Sequence, residues 1–380
     1  MSRPVNILHL HSTFSLGGKE ARAVRLMNAF GDRARHTIVS SMDGQYGARD
    51  AIAKGIDYEI AQNPPPLTGS PSVKRYEAIA AYMRRFDLVL TYNWGAIDGA
   101  MARRVSSNGV PPLVHHEDGF NADEAKGLKA ERNIYRRFAL TKAAALVVPS
   151  ETLETIALKT WKQPRERVHR IANGIATARY AIPPKPNAIP GFKRKPGELV
   201  IGTLAGLREV KNLPLLVRAF GGMSSRARLI IVGEGPERQA ILDAAERMGV
   251  ADQVLLTGFL PNPHDYIGLF DIMALSSKSE QFPICVLEGM AAGLPIVSTP
   301  VGDVLKMVAP ENSSFIERRD QEVLIRDALE SLAQATPEGR KGLGELNRRK
   351  AVAEYDEATM IARYAQLYGS VIGRPGAFGD

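Results

Sequence analysis

The chain is poor in the features that would staple, anchor or metallate it. Of its 380 residues only Cys285 is a cysteine, so no intramolecular disulfide can form and a reducing cytosol is the expected compartment. No stretch approaches ~18 uninterrupted apolar residues, so no transmembrane helix is expected. The opening Met1-Ser2-Arg3-Pro4-Val5-Asn6-Ile7 runs into a strand pattern and lacks the layout of a secretory signal. There is no Asp-x-Asp triad and no His/Cys/Asp cluster with metal-ligand spacing, so neither a metal nor another cofactor is expected. No recognised nucleic-acid motif accompanies the net charge of +8, so nucleic acid is not an expected partner.

What is present is unevenly distributed. Residues 1–187 hold 27 Lys and Arg against 17 Asp and Glu, while the remainder holds 22 against 24. Lys126, Lys129, Arg132, Arg136 and Arg137 recur three to four apart. On a helix they would share one broad face. That face is either ordinary solvated surface or a dock for an anionic membrane, where a basic residue contributes about 1 kcal/mol.

Strand-like and helix-like runs alternate along the whole chain. Strands are expected at Val5–Leu10, Thr37–Ser40, Leu88–Tyr92, Leu113–His115 and Leu146–Pro149. A second set falls at Leu199–Leu204, Arg228–Val232, Gln253–Leu256, Ile272–Leu275 and Ile296–Ser298. Such alternation predicts α/β architecture with parallel, doubly wound sheets. The proline-rich stretch Ile182–Gly191 reads as a linker. The expected domains are therefore residues 1–187 and 188–356, with a closing helical segment at 357–380.

The densest signal lies between Ser277 and Val297. Glu280 falls in a loop after an apolar strand, Pro283 suits a first helical position, and Glu288 follows inside the helix. The exposed N–H groups of that helix start suit an anionic phosphate. Two carboxylates flanking an anion site fit a ligand with hydroxyls at both ends and a diphosphate between them, the layout of a nucleotide-sugar. The run Glu280-Gln281-Phe282-Pro283-Ile284-Cys285-Val286-Leu287-Glu288-Gly289-Met290-Ala291-Ala292-Gly293-Leu294-Pro295, followed by Thr299-Pro300-Val301-Gly302, resembles the signature of retaining GT-B glycosyltransferases, in particular glycosyltransferase family 4.

That resemblance implies two Rossmann-like domains facing across a cleft, with a last helix that returns to the first. It implies a donor site in which Glu280 positions the sugar hydroxyls and Glu288 holds the ribose, with Phe282, Pro283, Ile284 and Leu287 around them. Lys211 matches the lysine that neutralises the donor diphosphate. The family's partner arginine falls at Gly206 here, with Arg208 nearby as a substitute or with one charge missing. Gly233 serves a strand-to-helix turn and Leu260 lies where members cup the base. Gly17 and Gly18 open the first helix and approach the diphosphate or the acceptor. The place often held by a histidine carries Asp118, with His115 and His116 just before it; His116 is favoured to face the reacting sugar. Glu20, Asn93, Trp94, His115 and Asp118 are the expected acceptor contacts. Asn173-Gly174 reads as a turn with positive φ.

The expected activity is transfer of a hexose from a nucleoside diphosphate sugar to a hydroxyl acceptor with retention, without metal, in envelope or exopolysaccharide glycan synthesis. The acceptor is expected to be a glycan or lipid-linked. The expected site is the cytoplasm, including the inner face of the cell membrane. An epimerase or phosphorylase of the same fold, and a non-catalytic nucleotide-sugar-binding or membrane-scaffold protein, are the alternatives. Gly206 and Asp118 motivate the last.

Overall fold

The computed structural model describes residues 3–120, 124, 127–316 and 321–379. They form two compact units, Met1–Asn173 with Ala358–Asp380, and Gly174–Glu357. The first carries the strands β1 (Val5–His11), β2 (Ala34–Ser40), β3 (Tyr58–Ile60), β4 (Leu88–Tyr92), β5 (Leu113–His116), β6 (Ala145–Val148) and β7 (Val168–Arg170). They pair in parallel in the order β3-β2-β1-β4-β5-β6-β7. Its helices are α1 (Gly18–Phe30), α2 (Val73–Met83), α3 (Asp98–Val105), α4 (Ala130–Ala139) and α5 (Glu151–Lys159).

The second unit opens with the short α6 (Thr177–Tyr180). Its strands β8 (Leu199–Leu204), β9 (Ala227–Val232), β10 (Val254–Leu256), β11 (Ile272–Leu275) and β12 (Ile296–Ser298) pair in parallel as β10-β9-β8-β11-β12. Around them lie α7 (Leu213–Gly221), α8 (Arg238–Arg247), α9 (Ile284–Ala291), α10 (Val304–Met307), α11 (Gln321–Gln334) and α12 (Pro337–Glu354). The last helix, α13 (Glu357–Val371), belongs almost wholly to the first unit. Its Met360, Tyr364 and Tyr368 are buried with Val5, Ile7 and Phe30. Full burial of such apolar side chains contributes about 1.5–3 kcal/mol each.

Both sheets are doubly wound, and strand order reverses between β1 and β4 and between β8 and β11. Ligands of open parallel sheets bind beyond the strand C-termini at such reversals. The ten expected strands are all present, within a residue or a few at their ends. The two missed, β3 and β7, are three-residue edge strands. Residues 174–187, expected in the first domain, pack with the second unit: Ile175 donates its backbone N–H to Tyr355 at 3.0 Å. Asn173 and Gly174 are not among the residues with positive φ, so the expected left-handed turn is absent; the units part there instead.

Candidate active site

In the second unit the loop after β8 is held by backbone. Leu207 N–H donates to Glu234 at 2.8 Å and Glu237 N–H to Leu207 at 3.0 Å. Gly233 has φ +145°, and a Cβ there would stand 1.9 Å from the Ala205 carbonyl oxygen. Only glycine lets the two loops approach this closely. The chain then makes a 3₁₀ turn at Glu209–Lys211, passes through left-handed Asn212, and enters α7 with Pro214 in its first turn.

That geometry delivers Lys211 to the loop after β11. Its ammonium forms an ion pair with Glu280, and Ser277 Oγ donates to the same carboxylate at 2.8 Å. Lys278 N–H donates to Val210 at 2.8 Å and Ser276 Oγ to the Lys211 carbonyl at 3.0 Å, so the two loops are stitched together. Gly302, at φ +53°, closes the far side; a Cβ there would meet the Gln281 carbonyl at 2.4 Å. Arg208 is exposed, and its Nε lies 3.6 Å from where a Gly206 Cβ would stand. The Arg208 side chain therefore passes beside Gly206 at ordinary contact distance.

Helix α9 starts after Pro283 with no side-chain cap and no acid in its first turn. Glu288 lies one turn inside, and Tyr180 of α6 donates its hydroxyl to Glu288 Oε1 at 2.9 Å. Burial, and then the Glu288 carboxylate, push the Tyr266 phenol upward. Sequence reasoning missed Tyr180; its only signal was its place six residues after Gly174. Phe282 and Pro283 are buried and Ile284 is half-buried. Phe282 meets Tyr355 edge-on at 5.6 Å. Leu260 is half-buried, and its carbonyl accepts from Tyr266 at 3.3 Å. Leu287 is fully buried in the core, where its side chain holds α9 in place.

In the first unit Gly17 caps α1 in an extended conformation, with Gly18 the first helical residue. A Cβ on Gly17 would stand 2.9 Å from Glu20 Oε2. Glu20 is buried and paired with Lys19, so its carboxylate is already engaged. Arg22 clamps Asp118 through both nitrogens, reaches Asn173 Oδ1 at 3.0 Å and lies 5.7 Å over the Tyr364 ring. Burial alone would lower the Arg22 pKa, but Asp118 raises it above its ordinary value, so the guanidinium stays charged. Asn93, at φ +57°, accepts the Asp118 backbone N–H at 2.7 Å.

His116 is enclosed by its neighbours. It is buried, Nε2 is 2.7 Å from the Tyr368 hydroxyl, Nδ1 is 3.1 Å from the Thr91 carbonyl, and its ring stacks on Tyr92. Burial and then Arg22 hold its pKa well below 6.5, so a neutral imidazole braces β4, β5 and α13. His115 is also fully buried, against Thr91 on the opposite side of β5. Trp94 is half-buried, with the guanidinium groups of Arg132 and Arg136 at 5.0 and 5.1 Å from its ring.

The expected basic stripe dissolves as well. Arg136 is completely buried and paired with Glu117 and Glu124, and Arg132 pairs with Glu124 at 3.0 Å. Lys126 lies outside the described residues. Among the described residues no group of three His, Cys, Asp or Glu is placed to hold a metal, and no helix is long and apolar enough to cross a membrane.

Two doubly wound parallel-sheet units, with candidate side chains beyond the strand ends, define the GT-B class. Anabaena HepE, solved in complex with UDP, superposes over 96% of this chain and 100% of its own with a TM-score of 0.79 at 19% identity. The family described as Glycosyltransferase Family 4 matches residues 5–179, and that described as Glycosyl transferases group 1 matches residues 198–335. The chain belongs to these glycosyltransferases. It is 26% identical over 178 residues to the N-acetyl-alpha-D-glucosaminyl L-malate synthase of Bacillus anthracis, a match spanning 46% of each protein. It is 27% identical over 363 residues, 84% of each, to the 2-deoxystreptamine N-acetyl-D-glucosaminyltransferase of Streptomyces fradiae.

Proposed function

We propose that the protein transfers a hexose from a nucleoside diphosphate sugar to a hydroxyl acceptor, with retention at the anomeric carbon. The observation that carries this reading is the Lys211–Glu280 ion pair at the β8/β11 reversal, with Glu288 one turn into α9. HepE has also been solved with UDP-glucose, which supports a donor of this class.

Lys211 neutralises the departing diphosphate, and the N-terminal N–H groups of α9 add positive potential. Arg208 reaches the same charge from beside Gly206. Glu280 orients the sugar hydroxyls, and Glu288 accepts from the ribose. The bond from the anomeric carbon to the phosphate oxygen breaks as the acceptor oxygen bonds on the same face, and the acceptor proton passes to the leaving phosphate oxygen. No enzymic nucleophile and no metal take part. The acceptor is a glycan or a lipid-linked sugar of envelope or exopolysaccharide synthesis.

The test is a panel of UDP-, GDP- and ADP-sugars in thermal shift, followed by NMR of the product with candidate acceptors. The expected result is nucleoside diphosphate release, an axial or equatorial linkage matching the donor, and turnover that survives excess EDTA. Inversion, dependence on added Mg²⁺ or Mn²⁺, or donor binding without turnover on any acceptor overturns the corresponding part of the reading.

A further inference from the structure

We propose that the second unit carries a separate binding site for a neutral saccharide, at the end of its sheet away from Lys211 and Glu280. A cavity of about 510 Å³ opens between the loop that joins α7 to β9 and the turn that joins α8 to β10. It lies at the N-terminal ends of β9 and β10, whereas the loops that carry Lys211 and Glu280 follow the C-terminal ends of β8 and β11. Six-residue β9 spans the distance between the two ends of the sheet, roughly 20 Å. The volume falls within the ~300–1,000 Å³ of small-ligand sites.

Small-ligand pockets are mostly apolar, and this one is not. Buried Phe220 and Val250 back it onto the core, while Ser224, Arg226, Asp252 and Gln253 supply polar lining. Among the described residues none pairs with the side chains of these four. Arg226 and Asp252 stand just before the paired strands β9 and β10, yet they border one space without closing on each other as an ion pair. The wall is fixed from behind. The Glu330 carboxylate of α11 accepts the backbone N–H of Ser224 at 2.9 Å, that of Ser225 at 3.2 Å and the Ser225 hydroxyl at 2.7 Å. On the other side Gln253 N–H donates to Val250 at 2.9 Å. A ligand entering here therefore needs little ordering of the loops. One guanidinium, one carboxylate, one amide and one hydroxyl offer donors and acceptors with no net charge. A saccharide hydroxyl donates and accepts at once, so a ring bearing several matches this set. An anion would meet the Asp252 carboxylate, a cation would meet the Arg226 guanidinium, and a single amino acid would leave most of the cavity unfilled. The site does not rest on the reaction proposed above.

The test is saturation-transfer NMR and calorimetry on the full chain with maltose, lactose and N,N′-diacetylchitobiose. At least one should bind saturably, and excess UDP should not displace it. Arg226→Ala and Asp252→Ala should each weaken that binding about tenfold, since each removes hydrogen bonds to a charged group. Ser224→Trp, which fills the cavity, should abolish it. All three positions are exposed, and an unchanged thermal unfolding midpoint verifies folding for each variant. No saturable binding of any of the three sugars, binding that UDP displaces, or binding that survives all three variants would overturn the proposal. So would saturable binding of glycine or inorganic phosphate that the same variants remove while no sugar binds, since the ligand would then be a charged one.

Discussion

The Lys211 ammonium and the Glu280 carboxylate, 69 residues apart in sequence, neutralise each other in the unliganded protein. Their side chains are 16% and 14% exposed, so the pair is poised at a surface rather than sealed in the core. On the proposed reading, a diphosphate entering beside it would offer Lys211 a stronger partner and release Glu280 for sugar hydroxyls. Charge on the leaving group grows in the transition state, so its partners act on rate more than on ground-state binding. Lys211→Ala should lose turnover by about a hundredfold or more. Arg208→Ala should lose less, and a Gly206→Arg, Arg208→Ala double variant should recover part of it. Steady-state kinetics on the donor found in the panel decides this; wild-type rates for Arg208→Ala would remove that residue from the site.

Tyr180 and Glu288 give a second, separable prediction. The phenol of Tyr180 holds one carboxylate oxygen of Glu288 at 2.9 Å. If Glu288 accepts from the ribose, Glu288→Ala should weaken binding of the free nucleoside diphosphate by about 1.5–3 kcal/mol per hydrogen bond lost. Tyr180→Phe leaves the carboxylate in place but unsteadied, and should weaken binding by about tenfold or less. Calorimetry with the nucleotide alone measures both. Unchanged affinity in folded Glu288→Ala sinks the ribose assignment, whereas a larger loss in Tyr180→Phe than in Glu288→Ala would make Tyr180 the direct contact.

Arg136 shows how a residue that reads as surface can be structural. Its guanidinium bonds Glu117 at 3.2 Å and Glu124 at 3.1 Å and lies within 5.2 Å of the Trp94, Phe120 and Trp161 rings. Removing one partner of a buried pair strands the other charge, at a cost of about 3–5 kcal/mol. Arg136→Met should therefore unfold at a midpoint lower by roughly 6–20 °C, taking about 2–4 °C per kcal/mol for a unit of this size. Adding Glu117→Gln and Glu124→Gln should return part of that loss. A shift under about 2 °C for Arg136→Met would place the residue back on the solvated surface.

The contrast between these residues marks what one sequence reveals. Strand periodicity and the Glu280-to-Gly302 run located the second unit's loops, because they depend on local spacing and on turns that only glycine permits, as at Gly233 and Gly302. Strands β3 and β7 were missed because Tyr-Glu-Ile and Val-His-Arg carry little apolar signal at a sheet edge. The division at Asn173, ahead of the proline-rich stretch, was hidden because α6 is tied to α9 by the Tyr180–Glu288 bond, 108 residues apart. Burial was the other blind spot. Helical spacing put Arg132 and Arg136 on one charged face, but it could not show Glu117 and Glu124 converging on them from another element. The enclosure of His116 was hidden likewise, since its partner Tyr368 lies 252 residues away.

The histidines of the first unit make acid its weak point. His9 Nδ1 is 3.1 Å from the Tyr92 hydroxyl and its Nε2 is 2.9 Å from His36, while His11 stacks on Tyr92 at 4.1 Å with neither ring nitrogen given a partner. Burial, first of all, holds His9, His11 and His116 well below 6.5 and His36 at about 4. Lys19, then His9, His116 and Arg22, add repulsion at His11. In the unfolded chain these imidazoles titrate near 6.5, above their folded values. Between about pH 6.5 and 4 the unfolded state therefore binds more protons, and stability is complete above 6.5 and lost as pH falls. Each histidine contributes up to about 1.4 kcal/mol per pH unit to that slope. Urea unfolding at pH 7.5, 6.0 and 5.0 should show the loss beginning above the ordinary carboxylate range. His36→Gln, which keeps a hydrogen-bonding side chain but cannot charge, should flatten the slope by about one proton, and a wild-type stability that is level from pH 7.5 to 5.0 would show that the cluster does not govern it.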